Sequence, residues 1–457
     1  MRLKRYPAVY NTLNADQNLI FDILIWGYEN NKHFFLTGDA GSGKSYVINA
    51  FYQFCILNNI NLAQTASTGV AATNINGTTV HKMFKIPAHV ITEDLLKDQY
   101  CNCSTVLRYI DICLVDEISM LRLDVFDNFM ANIEEANEYR AMEGKKPVMI
   151  ILVGDFSQLA PVIKPTDLAL YNQLTGNNLG NGYCYHSHYW SEYKFIPLLL
   201  KQPMRQSDMT FYNALNEIRY GIDTSIDYIN DNSSKVVIQN GIWLCGTNAT
   251  AELKNNDCMK NLKNSHTNTA EKYGHVDMSQ TTFIEDLTYA VKARIVMLIN
   301  DPDNKYVNGS LGTITKIYTN TLKVEIQLDN GNLIQVEPFT QKFYEYVVED
   351  EQLERREVGS LTQFPFKTAY AVTIHKSQGQ TYDQMNLIPE IWAPGQLYVA
   401  LSRCKTLENI YIQPVRGHKL ITNYVKADPD VINFMNCMEK VFKRFTVFYS
   451  KQIHKYI

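Results

Sequence analysis

Residues 34–45 read FFLTGDAGSGKS, and residues 46–57 continue as YVINAFYQFCIL. An apolar run ends in a glycine-rich loop, and apolar residues then recur at helical spacing, so the order is strand, loop, helix. Residues 38–45 (GDAGSGKS) fit the pattern G-x-x-x-x-G-K-[ST] in full. In such a loop Gly38, Gly41, Ser42 and Gly43 let backbone N–H groups point at phosphate oxygens. Lys44 would reach the β- and γ-phosphates of ATP, and Ser45 would ligate Mg²⁺.

Working outward, residues 62–66 (LAQTA), 111–117 (DICLVDE) and 147–155 (PVMIILVGD) repeat the signature of a buried strand ending in small or acidic residues. Polar residues at the carboxyl ends of strands are how an open parallel sheet presents a ligand site. Residues 1–205 therefore read as one α/β lobe. Residues 85–105 break the pattern and are expected to protrude as a small insertion, while 136–147 reads as a helix end and a turn. A second α/β lobe is assembled from 206–300 and 361–430, with strands at 241–246 (GIWLCG), 368–374 (TAYAVTI) and 408–413 (ENIYIQ). Between them, 301–360 alternates apolar and polar residues and carries Asn330-Gly331, a hairpin signal in a small antiparallel barrel or sheet. The tail, 431–457, reads as helical.

The chain has 457 residues, enough for about three domains, with 46% hydrophobic and 20% charged residues. No window approaches the ~18 uninterrupted apolar residues of a membrane span. The basic start MRLKRY lacks an apolar segment behind it, so no secretion signal is expected. Nine cysteines, an odd number scattered along the chain, suit free thiols in a reducing compartment. Cys101 and Cys103, and Cys184 with His186 and His188, have no second half at zinc-ligand spacing and read as structural. A net charge of −4 argues against coating nucleic acid by bulk charge but leaves room for a local basic channel.

Asp116 and Glu117 end the run ICLV downstream of the phosphate loop. The first carboxylate is placed to hold Mg²⁺ and the second to orient or deprotonate the attacking water. Gln158, in GDFSQLAP, follows another strand, where its amide can bond both γ-phosphate and water; a polar loop cap is the alternative. These parts make an ATPase. Motion requires a second lobe that completes the site, and Arg205 (PMRQ) and Arg403 (ALSR) are the residues to supply charge across a cleft; a surface ion pair is the bland alternative for either.

The motifs, in order, are LNADQ (13–17), GDAGSGKS (38–45), TASTGVAATNINGTTVHKMF (65–84), LVDEISML (114–121), GDFSQLAPV (154–162), MRQ (204–206), VNGSLGT (307–313), AYAVTIHKSQGQT (369–381) and GQLYVALSRC (395–404). On these the chain resembles the petite-integration-frequency (PIF) helicases, of the RecD-like branch of helicase superfamily 1B. The resemblance implies two RecA-like P-loop NTPase lobes of parallel sheets flanked by helices, termed 1A (1–205) and 2A. It implies a small 1B wedge near 85–105 and an SH3-like 2B insertion at 301–360. It implies an ATP-dependent DNA helicase moving 5′ to 3′ on single-stranded DNA and opening single-strand/duplex junctions and forks. Gln17 would read adenine, Gly379 would lie near the γ-phosphate, and Arg205 and Arg403 would be arginine fingers beside Lys44, Asp116, Glu117 and Gln158. Thr68, Asn74, His81 and Phe84 would line the strand's path on the first lobe, and Asn248, His375, Lys376 and Ser377 on the second. A Thr, Asn, Ser or Lys side chain grips phosphate without reading sequence, and His81 or Phe84 would stack on a base, with core packing the alternative for Phe84 and a strand-to-loop link for His375.

Ser157 and Ala160 depart from the family's GDFxQLPP, which bears on the loop after Gln158. The usual long N-terminal region is missing before Leu13, so the resemblance is to a bare motor core, as in large DNA viruses. The expected partners are DNA and replication or recombination proteins, the expected solution state is a monomer, and the expected place is wherever DNA is replicated, nucleus or cytoplasm. Two other readings remain: the motor subunit of a recombination nuclease, and a DNA-binding scaffold with a vestigial ATPase.

Overall fold

The computed structural model describes residues 5–453 except 88–89, 91–104, 177–178, 207, 261, 279–280, 300, 302, 304, 307, 350–351, 416 and 418. The wedge expected near 85–105, and Cys101 and Cys103, lie largely or wholly outside the described residues.

The first lobe is one six-stranded sheet of β1 (Phe34–Gly38), β2 (Leu62–Ala66), β3 (Thr78–Thr79), β4 (Ile112–Asp116), β5 (Met149–Val153) and β6 (Ile196–Leu200). The order is β3-β2-β4-β5-β1-β6, and every neighbouring pair is parallel. Such strands read as continuous apolar runs because helices cover both faces. Phe34 and Leu36 join a cluster with Phe21 and Leu24 of the helix Ala15–Glu29 and Phe51 of the helix Lys44–Leu57. Phe35, pointing the other way, packs with Phe126, Phe156 and Trp190. The edge strand β6 escapes a sequence reading because Pro197 interrupts it; an edge is where a sheet tolerates proline.

The second lobe begins with the helix Met209–Arg219 and β7 (Ile242–Cys245). The chain then leaves it for an antiparallel excursion: β8 (His266–Thr269), β9 (Glu271–Gly274), β10 (Asp286–Tyr289), β11 (Arg294–Met297), β12 (Leu311–Tyr318), β13 (Lys323–Leu328), β14 (Leu333–Val336), β15 (Phe339–Glu349), β16 (Gln352–Gln363) and β17 (Phe366–Thr368). It returns as β18 (Ala371–Thr373), β19 (Met385–Leu387) and β20 (Ile410–Ile412), giving a parallel sheet ordered β18-β7-β19-β20.

The excursion is larger than the expected 301–360. β11 and β17, both assigned from sequence to the second lobe, pair with each other and extend the sheet β14-β13-β12-β11-β17. They misled because β11 is a short apolar run without alternation and β17, Phe-Lys-Thr, is too short to show a pattern. One face of β11 (Ile295, Met297) packs inside the excursion and the other (Val296) against the second lobe. The Asn330-Gly331 turn does join β13 to β14, with Gly331 at φ 92°.

The C-terminal helix Pro429–Ile453 crosses back to the first lobe. Phe434 stacks on Tyr185 at 4.1 Å and meets Phe156 at 5.5 Å, and Trp26 packs against Phe445 and Tyr449. At this seam Cys184 is buried against Ile118 O, and His186 bonds Asp430 at 2.7 Å.

Candidate nucleotide site and nucleic-acid cleft

All the phosphate-handling segments leave the carboxyl ends of parallel strands. The loop 38–43 follows β1, Asp116 ends β4, Gln158 follows β5 and Arg205 follows β6. They line a cavity of about 570 Å³, together with Gly379, Arg403 and Lys405 from the second lobe. Gly43 begins the loop's helix at φ 86°, and a Cβ there would stand 2.5 Å from Gln17 Nε2. Only glycine suits that place.

Gln17 is held by a reciprocal cap: its backbone N–H donates to Asn14 Oδ1 at 2.9 Å, and its Oε1 accepts from the Asn14 N–H at 3.1 Å. Its Nε2 is buried without a protein partner, as is Ser42 Oγ in the loop. Buried polar atoms of this kind are normally satisfied; a purine edge and a phosphate oxygen fit these two. Lys44 Nζ donates to the carbonyls of Gly38 at 2.8 Å and Asp39 at 3.1 Å.

The charges around the cavity are mutually frustrated. Burial, then the neighbouring Glu117, pushes Asp116 up to about 7. Burial also raises Glu117, against the pull of Lys44 and Arg403. On the cationic side burial lowers Lys44 and Arg403, while burial and then Arg403 bring Arg205 down to about 9. Each shift is a cost of keeping a charge here, and a metal-bound triphosphate answers both signs at once. Asp116 and Ser45 both face the cavity and offer oxygen donors, the set Mg²⁺ takes. Glu117 sits at φ 51°, a left-handed turn that an ordinary side chain adopts at some cost. Its Oε2 accepts from Gln378 Nε2 of the second lobe at 3.1 Å. Arg403 is 1% exposed and is braced by Val399 O, Ser402 Oγ, Gln380 O and Ser377 O, and Arg205 donates to Ser402 O at 2.8 Å.

A second cavity, of about 900 Å³, runs between the lobes and the antiparallel excursion. Its lining includes Thr68, Asn74, Lys342, His375 and Lys376. Ser45, Asp116, Glu117, Asn308 and Gly379 line both cavities. His375 stacks on Trp392 at 5.6 Å, and Asn308 reaches Asn74 at 3.1 Å.

Two residues assigned to the strand's path sit elsewhere. Phe84 is 3% exposed and meets Phe129 edge-to-face at 4.7 Å, so its ring belongs to the core. Ser377 is fully buried and spends its hydroxyl on Ile374 O at 2.7 Å. His81 and Asn248 are not among the described lining residues of the cleft. His81 feels Arg122 and Asp124, and Asn248 begins a helix after β7. Sequence reasoning missed Gln378, Asp39, Tyr398 and Arg219. The first three lie inside recognised motifs, but the positions give no sign of a partner across the cleft.

A phosphate loop, an acidic pair, Arg205 of the first lobe and Arg403 of the second, all closing on one cavity, define a two-lobed P-loop NTPase motor. The family model described as PIF1-like helicase matches residues 12–227. The ATP-dependent DNA helicase Pif1 of Campylobacter jejuni is 29% identical over 91% of this chain and 96% of its own length. The crystal structure of Bacteroides sp Pif1 in complex with ADP-AlF4 superposes with a TM-score of 0.80 at 29% identity, covering 94% of this chain and 97% of that one. With ADP-AlF3 and ssDNA the Bacteroides helicase gives a TM-score of 0.65 at 28% identity and the same coverage. Over nearly its whole length the chain is similar to the PIF1-like helicases, which are ATP-dependent DNA helicases. The chain as a whole superposes better on the Bacteroides complex with ADP-AlF4 than on the one with ADP-AlF3 and ssDNA.

Proposed function

We propose that this helicase moves 5′ to 3′ along single-stranded DNA held in the 900 Å³ cleft, and that it opens duplexes and forks during replication, recombination or repair. The observation that carries this reading is the wall shared by the two cavities: Ser45, Asp116, Glu117, Asn308 and Gly379 face both. A change at the γ-phosphate and a change in the strand's grip therefore act on the same residues.

Gln17 presents a free amide N–H to adenine. Backbone N–H groups of the loop 38–43 and Lys44 hold the phosphates. Asp116 and Ser45 would hold Mg²⁺, which when bound neutralises phosphate charge. Glu117 accepts the proton of the attacking water, and Gln158 orients that water. Arg205 and Arg403 neutralise the charge that develops on the γ-phosphoryl oxygens. Gln378, adjacent to Lys376 in the cleft, connects the strand's path to Glu117. The antiparallel excursion corresponds to the SH3-like 2B domain and lends Lys342 to the cleft wall.

The test is ATP turnover of the full chain with single-stranded DNA, RNA, duplex and no nucleic acid in parallel. Single-stranded DNA should stimulate most, and Lys44→Ala should abolish turnover without changing the fold. Turnover indifferent to DNA would overturn the coupling, and turnover retained by Lys44→Ala would overturn the site.

A further inference from the structure

Arg219 ends the helix Met209–Arg219 of the second lobe, yet its guanidinium is buried among loops of the first. One Nη donates to Asp39, inside the phosphate loop, and the other donates to Asp155 at 2.8 Å. Asp155 also accepts from the Ser157 N–H at 3.1 Å and from Gln158 Nε2 at 3.4 Å. Tyr212, two turns earlier on the same helix, donates its hydroxyl to Asp39 as well.

Further contacts repeat the theme. Tyr398, on the helix Gln396–Leu401, accepts the backbone N–H of Ala40 at 2.8 Å. Gly395, at φ 76°, brings that helix so close that a Cβ would stand 2.1 Å from Gln158 O. Ala40 and Leu159 are packed into the second lobe's own apolar cluster, beside Phe211, Leu397 and Tyr398.

The loop that receives the triphosphate and the loop that carries Gln158 are thus both seated on the second lobe. None of Arg219, Tyr212 and Tyr398 is among the described residues lining the nucleotide cavity. Two carboxylates share one guanidinium, an arrangement in which loss of the cation leaves both buried charges uncompensated. A fork with two donor edges also sets orientation, which a lysine's single point charge does not.

We propose that Arg219, with Asp39 and Tyr398, forms a set of positioning residues that fix the phosphate loop and Gln158 to the second lobe, so that movement of that lobe is transmitted to the groups around the γ-phosphate. The inference rests on the roles given above to the phosphate loop and Gln158. It assigns function to residues that are not among the described residues lining either cavity.

The experiment measures kcat and KM for ATP of the full chain, with a saturating poly-thymidine oligonucleotide, for Arg219→Lys, Tyr398→Phe, Asp39→Asn and Gln158→Ala, each beside its melting temperature. Tyr398→Phe keeps the ring and removes only the acceptor, so it is the variant least exposed to misfolding. Arg219→Lys and Tyr398→Phe should lower kcat roughly tenfold, the size of one buried hydrogen bond, while KM moves less than about threefold. Arg219→Lys combined with Asp39→Asn should lose less than the product of the two single losses, because both act through one contact. Folded Arg219→Lys and Tyr398→Phe proteins with kcat within about twofold of the parent, beside a disabled Gln158→Ala, would overturn the proposal. A Gln158→Ala protein with parental kcat would instead overturn the role given to Gln158.

Discussion

Replacing Phe84 by alanine separates two physical jobs that an aromatic residue beside a cleft can do. Phe84 is 3% exposed, and its ring stands at 90° to that of Phe129 with centroids 4.7 Å apart. Val80, Met83, Ile86 and Phe126 belong to the same cluster. Truncating such a ring loses the transfer free energy of its carbons and leaves a cavity, ~3–5 kcal/mol together. For a cooperative unit of 150–250 residues each kcal/mol lowers the melting temperature by ~2–4 °C, so a fall of roughly 6–20 °C is expected. A base-stacking ring would behave differently: its loss weakens single-strand binding by ~1–3 kcal/mol, about 5- to 150-fold, and leaves the melt nearly unmoved. The assay pairs a thermal melt with fluorescence anisotropy of a labelled oligonucleotide, measured well below the variant's transition. The expected result is a lowered transition with Kd within about twofold of the parent. Unchanged melting with Kd weakened tenfold or more would refute the core assignment.

Further expectations concern charge. Asp116, raised to about 7 by burial and by Glu117, binds a proton more tightly in the folded ligand-free chain than in the unfolded one. Its contribution to stability is therefore present in full below the ordinary carboxylate value and is lost as pH rises through about 7. Metal-nucleotide binding runs the opposite way, because the proton competes with Mg²⁺. The apparent KM for Mg-ATP should rise by about tenfold for each pH unit below 7, and a KM flat with pH in the parent would contradict this. Lys376 faces the cleft while Ser377 is spent internally. Lys376→Ala should weaken single-strand binding evenly across sequences and reduce the salt slope by roughly 0.7. Ser377→Ala should cost about 1 kcal/mol of stability and leave that slope alone; the reverse pattern in salt titrations would exchange their roles.

The parts of the molecule that sequence makes legible are those where local pattern and chemistry coincide. The phosphate loop is announced by glycine spacing and by the buried strand before it. Asp116 and Glu117 are announced by their place at a strand's end. Boundaries set by tertiary pairing were not legible: β11 is a short apolar run, and only its antiparallel partners β12 and β17 show which sheet it joins. Phe84 fell to the same ambiguity, since one aromatic residue after a polar motif suits a core and a base equally. Asp39 could be read as a loop position but not as the partner of Arg219, 180 residues away in sequence. The C-terminal helix looked like a tail because nothing local tells that its apolar face returns to the first lobe.

The central claim is directional movement on one strand, coupled to ATP. It is tested most directly by unwinding two duplexes that differ only in the end carrying a single-stranded overhang. Opening of the 5′-tailed duplex, dependent on ATP and lost in Lys44→Ala, is the predicted result. Equal opening of both, or preference for the 3′ tail, would contradict it.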